Sequence, residues 1–166
     1  MKSVKPSLVV RALVVLCVAG ALASVASAQS DPRVGTWKMN PAKSKFVPGP
    51  APKTLTITYE ASGSNLTALT QGTDQEGKPI NPDKAKVNVI LDGKDHPTQT
   101  TNAVYNTSAW KKIDANSWTV IRKKDGKTTQ TVKNVVSADG KTLTITTTGV
   151  NAEGNTINNK VVYDKQ

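Results

Sequence analysis

Val34-Gly35-Thr36-Trp37-Lys38-Met39-Asn40 is the first strand-like run of the chain after an apolar leader. Alternation sends Gly35, Trp37 and Met39 to one face and Val34, Thr36, Lys38 and Asn40 to the other, so a large apolar pair points to a core while the rest can meet water. Trp37 is the expected anchor of that core, and Gly35 would let another backbone come close. What surrounds this run decides the kind of sheet it opens.

Upstream, Lys2, Lys5 and Arg11 precede an apolar run over residues 12–26, and Ala26-Ser27-Ala28 supplies the small residues of a signal-peptidase site. Residues 1–28 read as a cleaved signal peptide, so the mature chain is expected to start at Gln29 and to be secreted or periplasmic. The apolar run is shorter than the ~20 residues of a membrane span, and no transmembrane segment is expected after cleavage. Cys17 follows Leu16 rather than a small residue, so it should leave with the signal unacylated.

Cleavage leaves 138 of the 166 residues without a cysteine, and removing Lys2, Lys5 and Arg11 from the 22 basic residues leaves 19 against 12 acids, a charge of about +7. A chain of that length buries ~68% of its unfolded surface, enough for one core without disulfides, so residues 29–166 are expected to form a single domain.

Downstream of the opening run, Pro41, Pro48, Pro50 and Pro52 exclude an interior helix or central strand over 41–52, which reads as a surface loop. In it Phe46 either folds over a barrel mouth or packs outside. A series of short strands follows. Leu55, Ile57 and Tyr59 alternate with Thr54, Thr56 and Thr58, the chain returns over 66–71, and 84–91 places Val87, Val89 and Leu91 on one face. Residues 95–106 read as an irregular edge or a crossing. Five more strands are expected over 107–113, 118–123, 127–137, 142–150 and 156–164. Gly77, Gly93, Gly126, Gly140 and Gly154 punctuate the series in acid-Gly turns, where Gly accepts the positive φ of a tight hairpin loop. Eight to ten strands in series without a helical pattern predict an all-β, antiparallel up-and-down β-barrel, with a β-sandwich as the alternative.

Gly35-Thr36-Trp37 at the first strand, the hairpin succession, and a last strand with Ile157, Asn159, Val161 and Tyr163 able to pair back to the first resemble the lipocalin and fatty-acid-binding-protein (calycin) superfamily. More narrowly, the Gly-Thr-Trp-Lys-Met-Asn-Pro start, the Asp-Gly-Lys-Thr-Leu-Thr hairpin and the Tyr-Asp-Lys end look like small secreted bacterial proteins of lipocalin-like type and uncharacterised function. The resemblance implies that Gly35 and Trp37 form a structural plug at one barrel end. It also implies a ligand inside. Fatty-acid-binding proteins carry an Arg two residues before the Tyr of the last strand, where this chain has Val161 before Tyr163, so the usual carboxylate anchor is missing.

Inward candidates are Trp37, Leu55, Ile57, Tyr59, Val87, Val89, Trp110, Trp118, Val120, Leu143, Ile145, Val161 and Tyr163, with Thr146, Thr147 and Thr148 among the many strand threonines that could make an interior partly wet. Arg122 shares a face with Trp118 and Val120, which gives it a route to the interior and to an acidic group there. It could equally stand over Trp37, as a late Arg does in lipocalins. The expected ligand contacts are Tyr59, Trp110, Trp118, Arg122 and Tyr163.

Other chemistry lacks its parts. His96 is the only His, so no metal site is expected, and neither a nucleophile elbow, paired carboxylates on one strand face nor a phosphate loop is present. No enzymatic activity and no cofactor are expected. Arg122-Lys123-Lys124 with Lys127 near Trp118 could suggest nucleic acid, but the export signal argues against that partner. Two readings remain: a secreted non-enzymatic binder of a small hydrophobic or amphipathic ligand, or an envelope-associated module whose basic surface makes weak contact with anionic polymers or lipid head groups.

Overall fold

The computed structural model describes residues 31–98 and 104–166. The leader expected over 1–28, with Cys17 and the cleavage site, lies outside the described residues. The described residues form eleven strands: β1 (Gly35–Met39), β2 (Thr54–Ser62), β3 (Asn65–Thr73), β4 (Pro79–Ile80), β5 (Lys86–Asn88), β6 (His96–Pro97), β7 (Thr107–Lys112), β8 (Ser117–Lys124), β9 (Lys127–Val136), β10 (Thr142–Val150) and β11 (Thr156–Lys165). Their Val, Ile and Thr content suits a pleated, half-buried surface. The only helical piece among the described residues is a 3-10 turn, Pro41–Lys43, capped by the Asn40 side chain and started by Pro41. No helix among them is long and apolar enough to cross a membrane.

One antiparallel sheet runs in the order β4-β3-β2-β1-β11-β10-β9-β8-β7-β6, with β5 also paired to β3. The chain therefore forms the expected up-and-down barrel wall, continuous rather than split into two packed sheets. The last strand pairs back to the first, with Trp37 opposite Lys165 and Met39 opposite Tyr163. One seam is left between β4 and β6. There the segment 89–93 crosses from one side to the other, with Val89 N donating to Leu66 O at 2.8 Å and Gly93 N to Trp110 O at 2.9 Å.

That crossing explains a difference from the sequence reading. The strand expected over 84–91 shrinks to Lys86–Asn88 because Asn81 and Lys84 turn the chain with positive φ before it and the crossing bends it away after it. Val89 still enters the core, whereas Leu91 is left exposed. Elsewhere inward alternation holds: Trp37, Ile57, Tyr59, Trp110, Trp118, Val120, Leu143, Val161 and Tyr163 all belong to the buried core. Of the three strand threonines, Thr147 keeps the inward phase opposite Val132, without lining the cavity, whereas Thr146 and Thr148 depart from expectation and face outward. Thr146 faces Lys133 and Lys160 on neighbouring strands, which puts it on the outer wall.

Candidate functional site

Register across β8, β9, β10 and β11 sorts the interior into successive rows. Trp118, Asn134, Ile145 and Val161 form one row, Val120, Val132, Thr147 and Asn159 the next, and Arg122, Gln130, Gly149 and Ile157 the third. Trp118 and Arg122 are thus about 13 Å apart along one strand at ~3.3 Å per residue. The two ends carry different cations, Arg33 beside Trp118 and Arg122 itself.

At the Trp118 end the cation is Arg33, which is removed from water completely. Its Nε and Nη2 donate to the two carboxylate oxygens of Asp31 at 2.9 and 2.7 Å, a bidentate pair. The guanidinium carbon lies 4.1 Å from the Trp118 ring centroid and 5.7 and 5.8 Å from those of Tyr59 and Trp110. Trp37 Nε1 donates to the Arg33 carbonyl at 2.6 Å, tying the preceding segment to the first strand. Burial works against the Asp31 charge, but the hydrogen bonds and charge of Arg33 outweigh it and hold the carboxyl below its usual range.

Gly35 and Trp37 close the same region. Trp37 is wholly buried, and Lys165 Nζ stands 5.0 Å from its ring centroid. A β-carbon on Gly35 would meet Lys165 Cε at 3.1 Å, and its φ of +124° disfavours any side chain. The neighbour that Gly35 admits is therefore a lysine stem, not another backbone. The late-chain cation over Trp37 is Lys165; Arg122 stands elsewhere.

Between the two ends lies a cavity of about 490 Å³. Its apolar wall includes Ile57, Ala68, Val87, Val120, Val132 and Ile145, and its rim runs over residues 80–83 and Ala85 on one side and Thr98 and Tyr105 on the other. Its polar groups include Ser108, Arg122 and Asn134 together with Thr70 and the rim carboxylate of Asp83. Gln130 holds Arg122 in place: its Nε2 donates to Val150 O at 2.9 Å, and its Oε1 accepts from Arg122 Nη1 at 2.9 Å. Arg122 also lies 4.5 Å from the Tyr105 ring centroid. Among the described residues no carboxylate forms an ion pair with Arg122. Two further donors, Trp110 Nε1 and Asn134 Nδ2, are buried without a hydrogen-bond partner.

Burial pushes the Tyr59 hydroxyl up to about 12, and the positive charges of Arg33 and Arg122 pull against that rise. Tyr163 is also raised, first by burial and then by Tyr59, with Arg122 acting in the opposite sense.

Of the five expected contacts, Tyr59, Trp110 and Arg122 line the cavity; Trp118 and Tyr163 do not, and belong to the packed core. Phe46 packs against that core and does not line the space. His96 forms a surface pair with Asp92 at 3.0 Å, and among the described residues no His, Cys, Asp or Glu group could hold a metal ion. Sequence reasoning missed Asn134, Ser108, Gln130 and Arg33. Asn134 and Gln130 alternate with Val132 and Val136 on the inward phase of β9, so period two could have found them. Arg33 carried a local signal in Asp31-Pro32-Arg33 just before the Trp strand.

No protein-family model matches the chain, and no curated protein matches it. Among solved structures, zebrafish ileal bile acid-binding protein in complex with cholic acid superposes with a TM-score of 0.50 at 14% identity, over 81% of this chain and 99% of that one. A likeness at that identity concerns the fold alone, an antiparallel up-and-down β-barrel.

Proposed function

We propose that the protein is a secreted or periplasmic, non-enzymatic carrier of a small amphipathic molecule, held in the barrel with an acceptor-rich or acidic group at Arg122. The observation that carries this reading is the cavity of about 490 Å³, part apolar and part polar, where a guanidinium with no ion-paired carboxylate among the described residues shares the wall with two unpartnered buried donors. Pockets for single small ligands occupy ~300–1,000 Å³ and combine an apolar lining with a few fixed polar groups. Unpaired buried donors cost free energy, and an acceptor on a ligand would recover it. A bile-acid complex on a similar fold is in keeping with such cargo. Export rests on the leader sequence.

Titration with an anionic naphthalene-sulfonate dye and with a neutral apolar dye tests the reading. Both should bind saturably and quench Trp emission. Arg122→Ala should weaken the anionic dye by ~1–3 kcal/mol, the range for losing a charge-assisted hydrogen bond, and leave the neutral dye nearly unchanged. Equal weakening of the two would assign Arg122 to structure alone.

A further inference from the structure

The outer wall of the barrel is charged in a pattern that turn chemistry and packing do not require. Of the 12 acidic residues, only Glu60 and Asp164 stand on strands; the others sit in turns and connecting segments. Several of those turn acids have a local use. Asp92, Asp114 and Asp139 each accept a backbone N–H within two residues. The lysines are distributed differently. Register aligns Lys160 with Thr146, Thr146 with Lys133, Lys133 with Thr119 and Thr119 with Lys111, one row across β11, β10, β9, β8 and β7. Lys45, on the loop segment beside β11, extends it by pairing with Lys160.

Lys45 and Lys160 are directly opposed, each backbone N–H donating to the other's carbonyl at 2.7 and 2.8 Å. Like charges in that position repel, and a sheet face normally offsets them with a carboxylate. Here no ion pair includes Lys45, Lys160, Lys133 or Lys111 among the described residues. All four are exposed. Successive lysines from Lys160 to Lys111 are two strands apart, about 10 Å of arc, with a threonine between each pair.

We infer that this row is a binding surface for a linear acidic polysaccharide laid across the strands, its acid groups on the lysines and its hydroxyls beside Thr146 and Thr119. Charge complementarity alone would admit other polyanions. The row's own side chains distinguish them: it is lysine and threonine throughout. Trp37, Trp110 and Trp118 are buried inside the barrel, and Phe46 beside Lys45 packs against the core, so the row carries no aromatic platform for stacking bases and no aromatic wedge for a lipid surface. Within the row only charge and hydroxyl groups remain; the exposed apolar side chains Val47 and Ile113 lie beyond its two ends. The surface is independent of the interior cavity, and either can exist without the other.

Affinity electrophoresis through gels containing alginate, a polyuronate, or neutral dextran tests the inference, with single-stranded DNA and anionic phospholipid vesicles as competitors. Alginate should retard the protein in a salt-sensitive manner and dextran should not. The triple variant K111T/K133T/K160T should bind alginate about tenfold or more weakly, while K53T/K78T/K94T, with the same net charge but changes outside the row, should lose no more than about twofold. Unchanged Trp emission and unchanged neutral-dye titration establish that both variants fold and keep the cavity. Absence of alginate binding at low salt, equal weakening in the two triples, or displacement of alginate by DNA or vesicles at lower concentration would each overturn the proposal.

Discussion

Arg33 is wholly buried and ion-paired to Asp31 two residues away, so the charge is kept only because the acid and three aromatic rings accompany it. Removing one partner of such a pair strands the other charge, and Asp31→Ala should cost about 3 kcal/mol in urea unfolding at neutral pH. The pH dependence has a defined sign. The Asp31 carboxyl is held below its ordinary value of 3.8, so its contribution is present above that value and is lost as pH falls through the lowered one. The gap between wild type and Asp31→Ala should therefore be full at pH 7 and close below pH 3.8. A gap that stays constant on acidification would assign the loss to packing. Sequence alternation identified Trp37, Tyr59 and Trp110 because large apolar side chains announce a buried face. Arg33 escaped it because a charged residue carries no such mark, and its burial depends on Trp118, far away in the chain.

At the scale of elements, most strand boundaries were legible because Thr and Val alternation and acid-Gly turns agree with one another from β7 to β11. β10 covers the expected residues without change. The region of β4 to β6 was less legible, since the chain there crosses the seam and its partners lie on both sides. Gly149 shows what pattern alone leaves unsaid. It stands inside β10 opposite Gln130 with a φ of +135°, and an added β-carbon would fall 2.1 Å from Thr129 O. Both the strained backbone and the close approach oppose a side chain, so Gly149→Ala should destabilise by ~1–3 kcal/mol or shift β10 against β9. Because Gln130 positions Arg122, the same change should weaken anionic-dye binding more than neutral-dye binding. A variant with wild-type stability and dye affinities would contradict this account of β10.

For the whole molecule, the barrel was legible from hairpin succession and from the match between the last strand and the first. Whether its centre was filled was not, because that depends on how side chains from many strands add up across a space none of them spans. The answer is a cavity of about 490 Å³ lined by Arg122, while Trp118 and Arg33 stay off its wall, with the guanidinium 4.1 Å from the Trp118 ring. Ala68 lies on its wall and is nearly buried, so Ala68→Phe would add a ring where the ligand is proposed to sit. Titrating the neutral apolar dye into wild type and Ala68→Phe at equal foldedness tests the central claim most directly. Saturable binding to wild type with one site per chain, weakened about tenfold or more by Ala68→Phe as the pocket is filled, is the predicted result. Non-saturable binding to wild type, or equal affinity in both proteins, would contradict it.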